Sequence, residues 1–140
     1  MPTVLVSRSL RIDAGGAVPI WSQIEEGVRR LVASGGLAPG TLVPSVRELA
    51  RELRVNPATV SKAYQRLAEA GLLEVRRGDG TYVAMDPPAL SRAERARALR
   101  EDATRYAAAA LTLGATRDEA IDETKTAWAE LSRPGKGAER

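Results

Sequence analysis

A mainly α fold with one small β-hairpin is what this 140-residue sequence predicts, and three observations predict it. Two stretches with helical spacing of apolar residues, one over Val46–Leu53 and one opening at Asn56-Pro57 and running to Ala70, form helices separated by only three or four residues. Two β-prone runs, Leu72–Arg76 and Thr81–Val83, then flank a glycine-rich turn. Beyond Asp86-Pro87-Pro88 the composition shifts to Ala and Arg, with helical spacing again. Two closely joined helices followed at once by a hairpin make a winged helix-turn-helix, and the remainder makes a C-terminal two-helix tail. The predicted divisions are an N-terminal arm over 1–18, a winged unit over 19–85, a helical tail over 86–133 and a disordered end over 134–140.

In chain order, Leu5, Leu10 and Ile12 with a loop at Gly15-Gly16 predict a short extended arm, either paired as an edge strand or laid over the core. A helix should begin at Pro19, because the first helical position has no use for the N–H that proline lacks. Ile20, Ile24, Val28, Leu31 and Val32 give it one apolar face, and Gly35-Gly36 stops it. Leu37-Ala38-Pro39-Gly40 reads as a turn. Ser45 and Glu48 have the spacing of a capping box, opening a short helix with Val46, Leu49, Ala50 and Leu53 inward. Asn56 is a good N-cap and Pro57 a good first residue for the next helix, which Gly71 ends. Asp79-Gly80 is a favoured hairpin-turn dipeptide. A tail helix from about Ser91 to Leu113 carries a stripe of Ala96, Leu99, Ala103, Tyr106, Ala110 and Leu113. Thr116 and Glu119 repeat the capping-box spacing before a last helix bearing Ala120, Ile121, Thr124, Ala127, Trp128 and Leu131.

Composition narrows the chemistry. The chain has no Cys and no His, which removes zinc sites of the usual N/S type, disulfides, and nucleophile systems built on imidazole or thiolate. No catalytic constellation assembles, so no enzyme activity, cofactor or metal is expected. No apolar run reaches the ~18 residues a membrane span needs, and the N-terminal apolar run is too short for a secretory signal, so a cytoplasmic chain with no membrane partner is expected. Hydrophobic residues make up 44% but aromatic ones only 4%, and much of the apolar fraction is alanine. So thin a core predicts further burial against a second copy. The net charge of +3 suits a polyanionic partner.

The helix after Asn56 has the character of one that enters the major groove of DNA. Its first turns present Asn56, Ala58, Thr59, Ser61 and Lys62 outward, small and polar enough for close approach and able to meet phosphates or base edges. Arg54, Lys62 and Arg66 lie in a stretch, 54–68, free of acidic residues. Ser45 and Arg47 stand at the start of the preceding helix, where an arginine can clamp a phosphate or read a guanine. Tyr64 is read as partly core, with its hydroxyl offered to a phosphate. At the wing, Arg76 and Arg77 accompany Gly78 and Gly80, which let the backbone come close to DNA. In the tail, Leu99, Ala103, Tyr106, Ala110, Leu113, Ile121 and Trp128 are the candidate seam of a homodimer.

The runs Leu37-Ala38-Pro39-Gly40, Pro44-Ser45-Val46-Arg47-Glu48-Leu49-Ala50, Val55 through Tyr64, Gly71-Leu72 and Gly78 through Val83 resemble the DNA-binding domain of GntR-type regulators over about Pro19 to Val83. The resemblance implies a transcription factor, usually a repressor, bound as a dimer to an inverted-repeat operator in double-stranded DNA. It also implies that Arg47, Thr59, Ser61, Lys62 and Gly78 fall where the family meets DNA. Some relatives have arginine at the positions of Pro57 and Ser61, so base readout here must differ. The tail is too short for a large effector domain or an aminotransferase-like domain with pyridoxal phosphate. It is similar to the YtrA branch, whose short helical tail serves dimerisation. Small-molecule control is left open and no effector is assigned. The competing expectation is a winged-helix module that binds protein or RNA without operator specificity. Salt dependence separates the two, because binding through phosphates weakens steeply as salt rises.

Overall fold

The computed structural model describes residues 2–132, and the end segment expected to be disordered, 134–140, lies outside the described residues. The chain divides into two compact units, Pro2–Ala89 and the segment from Leu90 onward.

The first unit opens with a helix, α1 (Pro2–Ser9), where the sequence predicts an extended arm. The reason is the spacing of Val6 and Leu10, which puts two core residues on one side of a helical turn; both are buried. Leu10 settles against Gly27 of α2 (Ile20–Ala33), at a place where any added side chain would collide with its Cδ2. The loop between α1 and α2 is tied down by Gln23. Its carboxamide oxygen accepts from the Asp13 N–H at 2.7 Å, and its nitrogen donates to the carbonyls of Asp13 at 3.0 Å and Val18 at 2.8 Å. Pro19 is the N-cap of α2 rather than its first helical residue. Ile24, Val28 and Val32 face the core, and Gly35, at φ 84°, ends the helix in the left-handed region.

The capping box at α3 (Val46–Leu53) is complete: the Glu48 N–H donates to Ser45 Oγ at 3.1 Å and the Ser45 N–H to Glu48 Oε1 at 3.0 Å. Arg54, at φ 59°, turns the chain out of α3; among the described residues no other non-glycine has positive φ. Asn56 Oδ1 then accepts from the Ala58 N–H at 2.8 Å and Pro57 opens α4 (Pro57–Glu69). Val60, Ala63, Tyr64 and Leu67 of α4 are buried against α2 and α3.

After Gly71 the chain forms β1 (Leu73–Arg76) and β2 (Gly80–Val83), antiparallel, with Leu73 opposite Val83 and Arg76 opposite Gly80. The segment 41–43 runs beside β2: the Val83 N–H donates to the Thr41 carbonyl at 2.8 Å and the Val43 N–H to the Thr81 carbonyl at 2.9 Å. The Asp79 N–H donates to the Arg76 carbonyl at 2.9 Å, so the hairpin pivots on Arg77 and Gly78, with Gly78 at φ 79°. The tip thus lies at Arg77-Gly78, where the sequence places it, and the favoured dipeptide Asp79-Gly80 closes the turn and begins β2.

The second unit holds α5 (Arg92–Thr112) and α6 (Arg117–Leu131), opened by capping boxes at Ser91/Glu94 and Thr116/Glu119. The Tyr106 hydroxyl donates to the Ala120 carbonyl at 2.9 Å and ties α5 to α6. Neither helix contains a buried residue. Tyr106, Ala110 and Ile121 line an open apolar groove between the helices, together with Leu111, which the sequence reading passes over. Leu99, Ala103 and Trp128 lie outside that lining and are exposed. Leu113 is the C-cap of α5 and 85% exposed, at the end of the predicted stripe rather than within it.

Candidate nucleic-acid interface

The outward residues of α4 are set by its inward ones. Val60, Ala63 and Leu67 are fully buried, which leaves Ala58, Ser61 and Lys62 exposed and Thr59 half-buried. Asn56 stays exposed while its Oδ1 is committed to the cap. Ser45 is likewise exposed, with Oγ accepting from Glu48. Those hydrogen bonds, first from the Ser45 backbone and then from its side chain, hold the Glu48 carboxyl below its ordinary pKa. Arg47, one residue into α3, is exposed.

Tyr64 is a correction. Its ring is 4% exposed and its hydroxyl donates to the buried Pro44 carbonyl at 2.8 Å, so it does not offer that hydroxyl to phosphate. Burial, and secondarily the Glu48 charge, push its phenol pKa well up. The residue ties α4 to the turn before α3, which fixes how the two helices are presented.

A residue that the sequence reading misses stands next to Lys62. Trp21, in the first turn of α2, has Lys62 Nζ 4.3 Å from its ring centroid and the Arg66 guanidinium carbon at 4.9 Å. Cation–π contacts of this kind contribute about 0.5–1 kcal/mol where exposed. Arg66 Nε also donates to both carboxylate oxygens of Glu25, at 3.1 and 3.2 Å, and Arg29 approaches Glu25 at 3.7 Å. The usable signal is spacing: Trp21 and Glu25 are four apart on α2, as Lys62 and Arg66 are on α4.

The wing separates its two arginines. Arg76 stacks on Tyr82, its guanidinium carbon 4.0 Å from the ring centroid, and its Nε lies 3.3 Å from Glu74 Oε1. The Tyr82 hydroxyl donates to Asp79 Oδ1 at 3.0 Å, which raises its phenol pKa. Arg76 is thus engaged within the hairpin, whereas Arg77 is exposed at the pivot. Gly78 is exposed and open, whereas Gly80 is half-buried at φ 151°, a backbone that side chains rarely adopt, with Leu42 Cδ1 2.9 Å from where a Cβ would stand. Among the described residues Arg47, Lys62 and Arg77 make no ion pair. No group of acidic residues there could hold a metal ion, and no helix is long and apolar enough to cross a membrane.

Residues 21–83 match the family described as bacterial regulatory proteins, gntR family. Over 112 residues the chain is 36% identical to the HTH-type transcriptional regulator Rv1152 of Mycobacterium tuberculosis, covering 80% of this chain and 88% of that protein. The chain belongs to the gntR family. It is 44% identical over 75 residues to the HTH-type transcriptional repressor YtrA of Bacillus subtilis, covering 54% of this chain and little more than half, 58%, of YtrA. A transcriptional antiterminator from Listeria monocytogenes EGD-e has a similar structure, with a TM-score of 0.53 and 27% identity over 89% of this chain and 92% of the other. This gntR-family chain is therefore a transcriptional regulator, with a winged helix-turn-helix as its DNA-binding part.

Proposed function

We propose that the chain is a cytoplasmic repressor that binds an inverted-repeat operator in double-stranded DNA as a homodimer, acting by occupancy and not by catalysis. The observation that carries this reading is the set Arg47, Lys62 and Arg77. These are exposed cations without carboxylate partners among the described residues, on α3, α4 and the wing of one unit. Thr59 and Ser61 supply polar reach to base edges between them, and Gly78 lets the wing backbone close on phosphate. The name of the Bacillus subtilis relative favours repression. The apolar groove between α5 and α6, two helices with no buried residue, favours a second copy as its cover.

Selection of bound duplexes from a random pool tests the proposal. The expected product is an inverted repeat with half-sites about 34–36 Å apart. Arg47→Ala and Lys62→Ala should each weaken binding to it and flatten the slope of log K against log salt by roughly 0.9 per lost phosphate contact. A pool that yields no enriched inverted repeat would sink the operator reading, and full affinity in both variants would sink the site assignment.

A further inference from the structure

Lys62 and Arg66 occupy one face of α4, and both lie over the same indole, yet their circumstances differ. Arg66 is neutralised by Glu25, which it meets through both carboxylate oxygens. Lys62 has no carboxylate partner among the described residues, and the Trp21 ring is its recorded contact. Glu25 is one helical turn beyond Trp21 on α2, so a single face of α2 treats the two cations in opposite ways. A free lysine side chain loses rotamer freedom when it grips a phosphate. One already resting on a ring has less to lose.

We propose that Trp21 is a positioning residue for DNA binding: its ring holds the Lys62 ammonium ready for phosphate, while Glu25 withholds Arg66. This rests on the reading of Lys62 as a DNA contact. Trp21 itself makes no bond to DNA in this account, so its removal leaves the number of phosphates neutralised unchanged. Its effect runs wholly through Lys62.

The test is a double-mutant cycle on the full chain, with a mixed-sequence DNA duplex as probe, measured at several salt concentrations. Trp21→Leu should weaken binding about three- to tenfold with an unchanged salt slope. Lys62→Ala should weaken it and lower the slope. In the Lys62→Ala background, Trp21→Leu should have no further effect. Trp21→Phe, which keeps a ring under the ammonium, should restore most of the affinity. Thermal melting of each variant reports loss of fold separately, and Trp21→Gln, which also lacks a ring under the ammonium, replaces the Leu variant in the cycle if that one does not fold. An additive double variant, or a Phe variant as weak as the Leu one, overturns the positioning role while leaving the DNA-binding reading intact. Salt-independent binding, or none, by the unsubstituted chain overturns both.

Discussion

At position 27 a hydrogen in place of a methyl group decides where Leu10 goes. The clash that a Cβ would make there is with the end of the buried Leu10 side chain, which would have to shift out of its place in the core. Gly27→Ala would gain about 1 kcal/mol of helix propensity but lose some 1.5–3 kcal/mol by displacing Leu10. A net loss of roughly 1 kcal/mol is expected, seen as a lower melting temperature, and in a Leu10→Ala background the same substitution should bring no further loss. Tyr64→Phe leaves the buried Pro44 carbonyl without its donor and should cost about 1–3 kcal/mol in urea unfolding. The salt slope of DNA binding should not move, because the hydroxyl faces the core. The sequence shows that Tyr64 is partly core but not where its hydroxyl goes, because Pro44 lies 20 residues away. The same holds for Trp21, whose partners belong to another helix. The outward set of α4, by contrast, is legible from periodicity alone, since one buried face determines the other.

Elements show a similar division. All three capping boxes have the Ser/Thr-x-x-Glu pattern, with both partners within four residues, although the sequence reading picks out only those at Ser45 and Thr116. In each, hydrogen bonds to the N-cap backbone and then to its side chain lower the pKa of Glu48, Glu94 and Glu119. A carboxylate whose pKa is depressed by folding stabilises the fold above its unfolded value of ~4.3, and that contribution fades as pH falls through the lowered folded value. Helicity by circular dichroism should therefore decline below about pH 4, and the triple variant with Gln at all three positions should lose less there. Full retention of the acid loss in that variant would count against the caps. The arm and the wing turn are less legible. The arm becomes a helix carrying Val6, with Leu10 just past its end, because α2 and α3 offer both side chains a place to bury. The wing tip at Arg77-Gly78 is legible from its glycine-rich run, whereas the pairing of segment 41–43 beside β2 is not, because its partners are remote in the chain.

For the whole molecule, the thin core predicted from composition is confined to the first unit. All buried hydrophobic residues among those described lie between Val6 and Val83. The tail's apolar side chains remain exposed, with Leu99 at 66% and Trp128 at 74%. The sequence indicates which residues these are but not the surface that meets them, since that surface is not on their own chain in the proposed dimer. Replacing both Tyr106 and Trp128 with Ala should shift sedimentation toward monomer and make the remaining melting independent of protein concentration. An unchanged sedimentation profile would remove the tail from the seam.

A pair of helices that buries no residue of its own has little to protect its amide protons besides its internal hydrogen bonds, because most helical stability in proteins comes from packing of an apolar face. Amide hydrogen exchange should then depend on region. Dilution would speed exchange throughout α5 and α6, while amides of α2 and α4 keep their rates, reporting subunit association and domain folding as two separable events in one spectrum.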